Sequence, residues 1–211
     1  PSRILLPELF NELDLHGDPV AIAVDNWSLV VAGAEDRPAL LAMAEAANAL
    51  FEDVGQPVSC LPIVLRDGAW TPFDSEAAGI PELHALRGKQ WAEVYDLQDN
   101  MLQQRDAYSD ENIVVARLAL VERAGWTRTV TLWSTQAEAL LPQADVVMIV
   151  NHRGGMIERS WESFEAVLGP LVPEPDLWPP RYRIGGSADE RAEAGRRLAG
   201  DHRRPPWFPE Q

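Results

Sequence analysis

The chain has 211 residues, and its 33 Asp and Glu against 18 Lys and Arg give a formal net charge of −15. Proteins that bind phosphate backbones or anionic lipid need clustered Lys and Arg, so this balance excludes nucleic acid and acidic membranes as main partners. A hydrophobic fraction of 46% and a charged fraction of 24% are typical of an ordinary globular protein.

The cysteine and hydropathy patterns predict a cytoplasmic protein. Cys60 is the single cysteine, which rules out an intramolecular disulfide framework and a multi-cysteine metal site. No apolar run approaches the roughly 18 to 20 residues that cross a bilayer. The first residues, PSRILLPELF, lack the basic-then-apolar order of a signal peptide. We therefore expect a cytoplasmic location and no membrane association.

The first predicted unit covers residues 1–74 and has the element order β-β-α-β-β. Two short apolar strands lie in PVAIAVDNWSLVVAG, a helix rich in Ala and Leu follows, and a second pair of strands lies in PVSCLPIVLRDGAWTPF. Turn and cap residues mark the boundaries of these segments. They are Asp25-Asn26 between the first strands, Asp36 and Pro38 at the start of the helix, Gly55 at its end, and Asp67-Gly68 between the last strands.

Residues 75–111 are predicted to form a helical connector, either one bent helix or two consecutive helices broken at Gly88. Its apolar residues recur at helical spacing: Leu83, Leu86, Trp91, Val94, Leu97 and Met101. Three acidic residues, Glu93, Asp96 and Asp99, share a face. Such a trio could hold a divalent cation or act as acid and base, but repeated acids on a helix usually form its solvated side.

Residues 112–169 are predicted to repeat the order of the first unit. Two longer strands form a hairpin, STQAEALLPQ forms a short helix, and a second hairpin follows. The signals are an Ala124-Gly125 turn, helix caps at Thr135 and Glu138, and a Gly154-Gly155 turn. The fold class that follows is α+β, with two similar β-β-α-β-β halves bridged by helices.

Residues 170–211 are predicted to form a proline-rich C-terminal arm. Eight of the 17 prolines lie from Pro170 onward, which prevents a continuous helix or a central strand. Residues 181–211 hold seven Arg against five acidic residues, whereas the first 180 residues hold 28 acidic against 11 basic residues. The arm is predicted to contain one short helix from about Ala188 to Ala199. Ser187 and Glu190 form a capping box at its start, and Gly200 is its stop signal.

The residues that usually carry chemistry are scattered, so we expect no catalytic residue, no metal site and no cofactor. Cys60 lies in the apolar segment VSCLPIVL, which favours a buried and unreactive thiol. The four histidines lie in distant segments without metal-ligand spacing. The segment IGGSADE lacks the lysine of a phosphate-binding loop, and there is no GxSxG motif.

Two groups of residues are candidates for binding instead. In NHRGG, His152 and Arg153 precede glycines that allow a ligand to approach the backbone, although an ordinary solvated turn explains the same pattern. Trp178 and Trp207 are flanked by prolines, so they must either dock on the protein's own body or enter another chain. The arginines beside them suit an acidic surface, either this protein's own or that of a second copy. They are Arg181, Arg183, Arg203 and Arg204.

Four segments of the chain resemble those of a known family. They are AMAEAANALFEDVG, CLPIVLRDGAWTPF, WAEVYDLQDNML and TVTLWSTQAEALLPQADVVMIVN. Together they are similar to the YtpQ-type family of uncharacterised bacterial proteins. The resemblance implies an α+β fold and a cytoplasmic location, and it brings no catalytic residues. The proline-rich segment beyond Pro170 departs from the family pattern.

Three functions are compatible with this sequence. We expect a non-enzymatic interaction protein, such as an adaptor, a chaperone-like protein, or an immunity or inhibitor protein, whose acidic face binds a basic protein partner. The alternative is a small-molecule-binding protein or an enzyme with few sequence signals, with a pocket between the two halves near Arg117, Trp133 and the NHRGG turn. The third is a homo-oligomer that assembles through residues 170–211.

Overall fold

The computed structural model describes residues 2–53, 58–104, 113–151 and 154–200. Helices and sheets of antiparallel and mixed strands are both present in these ranges, which confirms the predicted α+β class. The helices are α1 Arg37–Asp53, α2 Pro81–Gln103, α3 Trp161–Leu168 and α4 Ala188–Gly200. The strands are β1 Pro19–Ile22, β2 Val30–Gly33, β3 Ile63–Arg66, β4 Ala69–Pro72, β5 Val114–Val115, β6 Leu118–Arg123, β7 Trp126–Ser134, β8 Ala139–Pro142, β9 Val146–Val150, β10 Met156–Ser160 and β11 Arg181–Ile184.

The chain divides into two compact units. Unit 1 consists of the residues up to Gln90 together with Gly125–Thr127, and unit 2 consists of Trp91–Ala124 together with the residues from Arg128 onward. α2 begins in unit 1 and ends in unit 2. The four-part division with boundaries after residues 74, 111 and 169 stays a prediction.

The sheet of unit 1 is built from two local hairpins, as predicted. β1 pairs antiparallel with β2, which sets Val20 opposite Ala32, and β3 pairs antiparallel with β4. β1 also pairs antiparallel with β3, so the strand order is β2-β1-β3-β4. Asp67 and Gly68 connect β3 to β4 with φ values of 50° and 76°. Two successive positive φ values give a tight turn whose twist matches that of the flanking strands.

α1 completes the core of unit 1. Asp36 caps its N-terminus, because the Asp36 Oδ1 accepts the backbone N–H of Ala39 at 3.0 Å. Buried residues of α1, among them Met43, belong to one apolar cluster with β1, β3 and the start of α2. Cys60 is fully buried in the same cluster, as predicted. The helix stop predicted at Gly55 lies outside the described residues.

α2 is one continuous helix, so the break predicted at Gly88 does not occur. A glycine in a helix costs only about 1 kcal/mol relative to alanine. Buried side chains lie on both sides of it, with Leu83 and Leu86 before it and Tyr95 and Leu102 after it. Their burial outweighs the cost of the glycine. None of the helices in the described ranges has the length and apolar composition that a bilayer crossing requires.

Unit 2 contains a four-stranded sheet and a three-stranded sheet. In the first, β9 pairs parallel with β7, which sets Val146 opposite Val130, and antiparallel with β10. The predicted hairpin between β6 and β7 turns at Ala124 and Gly125, which have φ values of 52° and 77°. In the second sheet, β8 lies between β5, its parallel neighbour, and β11, its antiparallel neighbour. Unit 2 therefore combines local hairpins with pairings between strands that are distant in the sequence.

The helix predicted in STQAEALLPQ is wrong, because its second half forms strand β8. All four residues of β8 are buried, and the strand has a neighbour on each side. A central strand buries an unbroken apolar run on both faces, whereas a surface helix buries only one stripe. Thr135 and Glu138 consequently do not cap a helix. The repeat of two β-β-α-β-β halves is not confirmed, since β8 stands where the first half has α1.

Residues 170–200, which were predicted to belong to a C-terminal arm, are part of unit 2. β11 pairs with β8, setting Arg181 opposite Pro142 and Ile184 opposite Ala139. The prolines of this region precede β11, and the strand itself contains none. Its backbone N–H groups can therefore join the ladder.

α4 is the helix predicted near the C-terminus. The Ser187 Oγ accepts the backbone N–H of Glu190 at 3.3 Å, and the Glu190 Oε2 accepts that of Ser187 at 2.7 Å. This reciprocal pair is the predicted capping box. Leu198 of α4 is buried in the core of unit 2, and its carbonyl oxygen accepts hydrogen bonds from Arg159 Nε at 3.0 Å and Nη2 at 2.6 Å.

Candidate functional site

Arg181 of β11 is the polar centre of unit 2. Its side chain is fully buried, and its guanidinium contacts four acceptors. Nε donates to Gln98 Oε1 at 2.5 Å, Nη1 donates to the carbonyl oxygens of Ala116 at 2.7 Å and Leu140 at 3.2 Å, and Nη2 donates to Asp99 Oδ1. A buried charge is stable only when it is paired and hydrogen-bonded. Arg181 meets both conditions and so joins β11 to β8 and α2.

Two further side chains of α2 hold the backbone that leads into β11. Gln98 Nε2 donates to the carbonyl oxygen of Pro179 at 2.7 Å, and the Tyr95 hydroxyl donates to that of Pro180 at 2.8 Å. Neither proline has an N–H, so these carbonyls are their only backbone hydrogen-bonding groups. The guanidinium carbon of Arg181 also lies 5.1 Å from the centroid of the Tyr95 ring. The segment before β11 is thereby fixed on α2.

Burial shifts the titration of all three ionisable groups in this cluster. It raises the pKa of the Tyr95 hydroxyl to about 12. It raises the pKa of the Asp99 carboxyl and lowers that of the Arg181 guanidinium, because each charged form loses hydration. The attraction between the two charges opposes both shifts, and the charge of Arg117 further favours the ionised carboxylate. The cluster is a structural ion pair with its hydrogen bonds satisfied.

Trp178 immediately precedes this fixed backbone, yet its side chain is 78% exposed. Its indole meets Trp91 edge to face, with ring centroids 6.4 Å apart. Val94, Leu97 and Met101 follow Trp91 along one flank of α2, and Leu97 and Met101 are 65% and 68% exposed. We call these five residues the Trp178 surface. A group of exposed apolar side chains is a candidate interaction site.

Carboxylates border the Trp178 surface. Glu93 and Asp96 are exposed on α2, and Asp176 is exposed two residues before Trp178. None of these three forms an ion pair with another residue of the described ranges. An apolar centre with a negatively charged border suits a partner whose apolar residues are flanked by Lys or Arg.

The other binding residues predicted from the sequence have different positions. Arg183 is exposed on β11, with its Nε 4.0 Å from Glu138 Oε2. Arg181 contacts the Asp99 carboxylate in the interior of its own unit. Three predicted binding residues lie outside the described residues: His152, Arg153 and Trp207.

Trp133, which was expected near a small-molecule pocket, is fully buried in the core of unit 2. Its ring meets that of Phe164 edge to face, with centroids 5.8 Å apart. Arg117 is exposed. Within the described part of the chain, no three His, Cys, Asp or Glu residues are grouped so that they could hold a metal ion.

The sequence analysis did not predict that the last turns of α2 have one side buried in unit 2 and a second apolar side that is exposed. It grouped Leu97 and Met101 with the core residues of the connector because all recur at helical spacing, but these two are exposed. It also placed Asp99 on the solvated side, whereas this carboxylate is buried against Arg181. The signal that could have helped was the spacing of Tyr95, Gln98 and Asp99, because residues three and four positions apart share a face of a helix.

The sequence analysis also did not predict that a tryptophan of unit 1 is exposed. Trp27, at the end of the β1–β2 hairpin in unit 1, is 92% exposed. The backbone N–H groups of Trp27 and Ser28 donate to Asp25 Oδ1 at 2.6 and 2.5 Å, which lowers the pKa of the Asp25 carboxyl. The Asp-Asn-Trp sequence was recognised as a turn but not as one that presents the indole to solvent.

No family model matches the chain, and no significant match exists among the curated proteins or the solved structures. The resemblance to the YtpQ-type family therefore stays a prediction.

Proposed function

We propose that the protein is a non-enzymatic interaction protein that binds a basic region of another protein through the Trp178 surface. The net charge of −15 gives the long-range attraction for such a partner, and the exposed indole supplies an apolar anchor. Tryptophan is among the residues that most often dominate binding energy when a partner covers them.

One observation carries the proposal. Trp178 is exposed although the residues that follow it are held by a partly buried hydrogen bond from Tyr95 and a buried one from Gln98. A rigid backbone that projects an indole into solvent loses little further conformational entropy on binding. The same exposure in a loose segment would have carried no such advantage.

Affinity capture with matched variants tests this function. We expect the wild-type chain to retain a stoichiometric protein, and we expect Trp178→Ser to lose it. The control is Leu5→Ser, because Leu5 is equally exposed, at 77%, but belongs to unit 1. The captured protein should dissociate between about 0.1 M and about 1 M salt, over which the Debye length falls from about 10 Å to about 3 Å. The proposal is contradicted if the captured protein binds Trp178→Ser as well as the wild-type chain and stays bound at high salt. It is also contradicted if the wild-type chain retains no stoichiometric protein.

A further inference from the structure

The apolar residues on the exposed flank of α2 follow a helix-packing pattern. Val94, Leu97 and Met101 are separated by three and four residues, which places them in one row along the helix. Trp91 extends this row by one turn, and Trp178 lies against it. A row with this spacing is the seam that one helix offers to another in helix-on-helix packing.

The opposite side of the same turns is already occupied. Tyr95, Gln98, Asp99 and Leu102 are buried within unit 2. This part of α2 thus carries one side that the fold buries and a second apolar side, with Leu97 and Met101 exposed, that no described residue covers. An ordinary surface helix has charged and polar residues in that place.

The charged residues around this row indicate which kind of partner helix could pack against it. Glu93 and Asp96 are exposed on α2 next to Val94 and Leu97 in the sequence, and Asp176 is exposed on the loop that carries Trp178. Acidic groups therefore accompany the row on α2 and on this loop. A second copy of this chain that packed here through a two-fold axis would bring the same three carboxylates together, which is unfavourable.

Resting on the proposed function, we propose that the partner contacts this row with a basic amphipathic α-helix. Its apolar stripe lies on Leu97 and Met101, one end contacts the Trp178 indole, and its Lys or Arg side chains face Glu93, Asp96 and Asp176. The row from Trp91 to Met101 is about 15 Å long at about 1.5 Å per residue. About three turns of a partner helix cover it.

Three synthetic peptides test this inference against the full chain. The first has about 18 residues, or about five helical turns, with Leu on one stripe and Lys on both sides of it. The second replaces each Lys with Glu. The third keeps the Lys residues but has two central prolines, which break the helix. Binding is measured by fluorescence anisotropy of the labelled peptide and by calorimetry.

We expect the basic helical peptide to bind and the other two to bind at least about tenfold more weakly, since each lacks the charge or the shape that the row requires. Leu97→Ser should weaken binding of the first peptide by about tenfold, as expected for an anchor residue, and the control Leu5→Ser should leave it unchanged.

Each other outcome identifies what is wrong. If the proline-containing peptide binds as well as the helical one, the helical partner is overturned while the basic partner of the proposed function stands. If no peptide binds but affinity capture through Trp178 succeeds, the helix inference alone fails. If the chain forms a dimer in sedimentation experiments that Leu97→Ser abolishes, a second copy occupies the row and the inference is overturned.

Discussion

The two units of this protein reach stability by different routes. In unit 1 the hairpins join strands that are neighbours in the sequence, and two ion pairs, Arg66–Asp18 and Lys89–Glu52, lie at the surface. In unit 2, β11 pairs with the distant strand β8, and the ion pair Arg181–Asp99 is buried and spans 82 residues. Surface pairs are worth at most about 1 kcal/mol, whereas losing one partner of a buried pair costs several.

This difference shows that polar groups determine the structure of unit 2 more than that of unit 1. The ion pairs of unit 1 can be removed with little effect on its apolar core. In unit 2, the same interactions that bury Arg181 also fix the loop that carries Trp178. Stability and presentation of the candidate binding surface are therefore coupled in unit 2 only.

The largest effect is expected from Arg181→Ala. It leaves the Asp99 carboxylate buried without its partner, so the free energy of unfolding of unit 2 should fall by about 3–5 kcal/mol. Hydrogen exchange followed by mass spectrometry measures this loss separately for peptides of each unit. We expect faster exchange in unit 2 and little change in unit 1.

Two variants serve as controls for this result. Arg183→Ala removes an exposed arginine of the same strand and should change stability by less than about 1 kcal/mol. The double variant Asp99→Leu with Arg181→Met replaces the pair by apolar groups and should recover most of the loss. Equal acceleration of exchange in both units would show that the contrast between them is wrong.

An intermediate effect is expected in unit 1 from Gly33→Ala. A Cβ at this position of β2 would lie 2.2 Å from the backbone oxygen of His16, which no side-chain rotation can relieve. We expect a loss near the upper end of the range of about 1–3 kcal/mol that overpacking costs. Gly68→Ala is the control, since nothing lies near its Cβ and only its positive φ of 76° is unfavourable. Urea denaturation compares the two, and an equal loss would contradict the steric explanation.

The smallest effect is expected at the capping box of α4. Ser187→Ala removes the side-chain acceptor of the Glu190 N–H and should cost about 1 kcal/mol. The hydrogen bond from the Ser187 backbone lowers the pKa of the Glu190 carboxyl below its ordinary value of 4.5. A lowered pKa in the folded state means that this contribution is complete above pH 4.5 and is lost as the pH falls through the lowered value.

The stability difference between the wild-type chain and Glu190→Gln should accordingly shrink as the pH is lowered from neutral to about 3. Thermal unfolding over this pH range measures it. A difference that stays constant would show that the ionised carboxylate does not contribute to the cap.

Local features of this fold could be predicted from the sequence because their causes lie within a few residues. The Asp67-Gly68 turn, the Asp36 cap and the capping box of Ser187 with Glu190 each depend on short-range hydrogen bonds or backbone angles. The segment Ala139–Pro142 could not be predicted in the same way. Its helical composition is overridden because β5 and β11 enclose it.

The candidate site shows the same limit. The proline-flanked position of Trp178 predicted that its indole docks on the protein's own body or enters another chain, and in the structure the indole meets Trp91 while 78% of the side chain stays exposed. The buried role of Arg181 could not be predicted, because Asp99 and Ala116, which it contacts, are more than 60 residues away in the sequence. The charge and composition of the sequence did not distinguish the buried Arg181 from the exposed Arg183.

The order of synthesis gives the Arg181–Asp99 pair a further consequence. At about 5–20 residues per second, a ribosome adds residue 181 about 4 to 16 seconds after residue 99, given their separation of 82 residues. During this interval the local hairpins of unit 1 can form. The Asp99 carboxylate, however, has no Arg181 guanidinium with which to form the buried ion pair. The loop that presents Trp178 is fixed only once β11 has been synthesised. A chain that stops before Arg181 consequently lacks the fixed Trp178 loop, so this binding surface cannot form until that residue has been added.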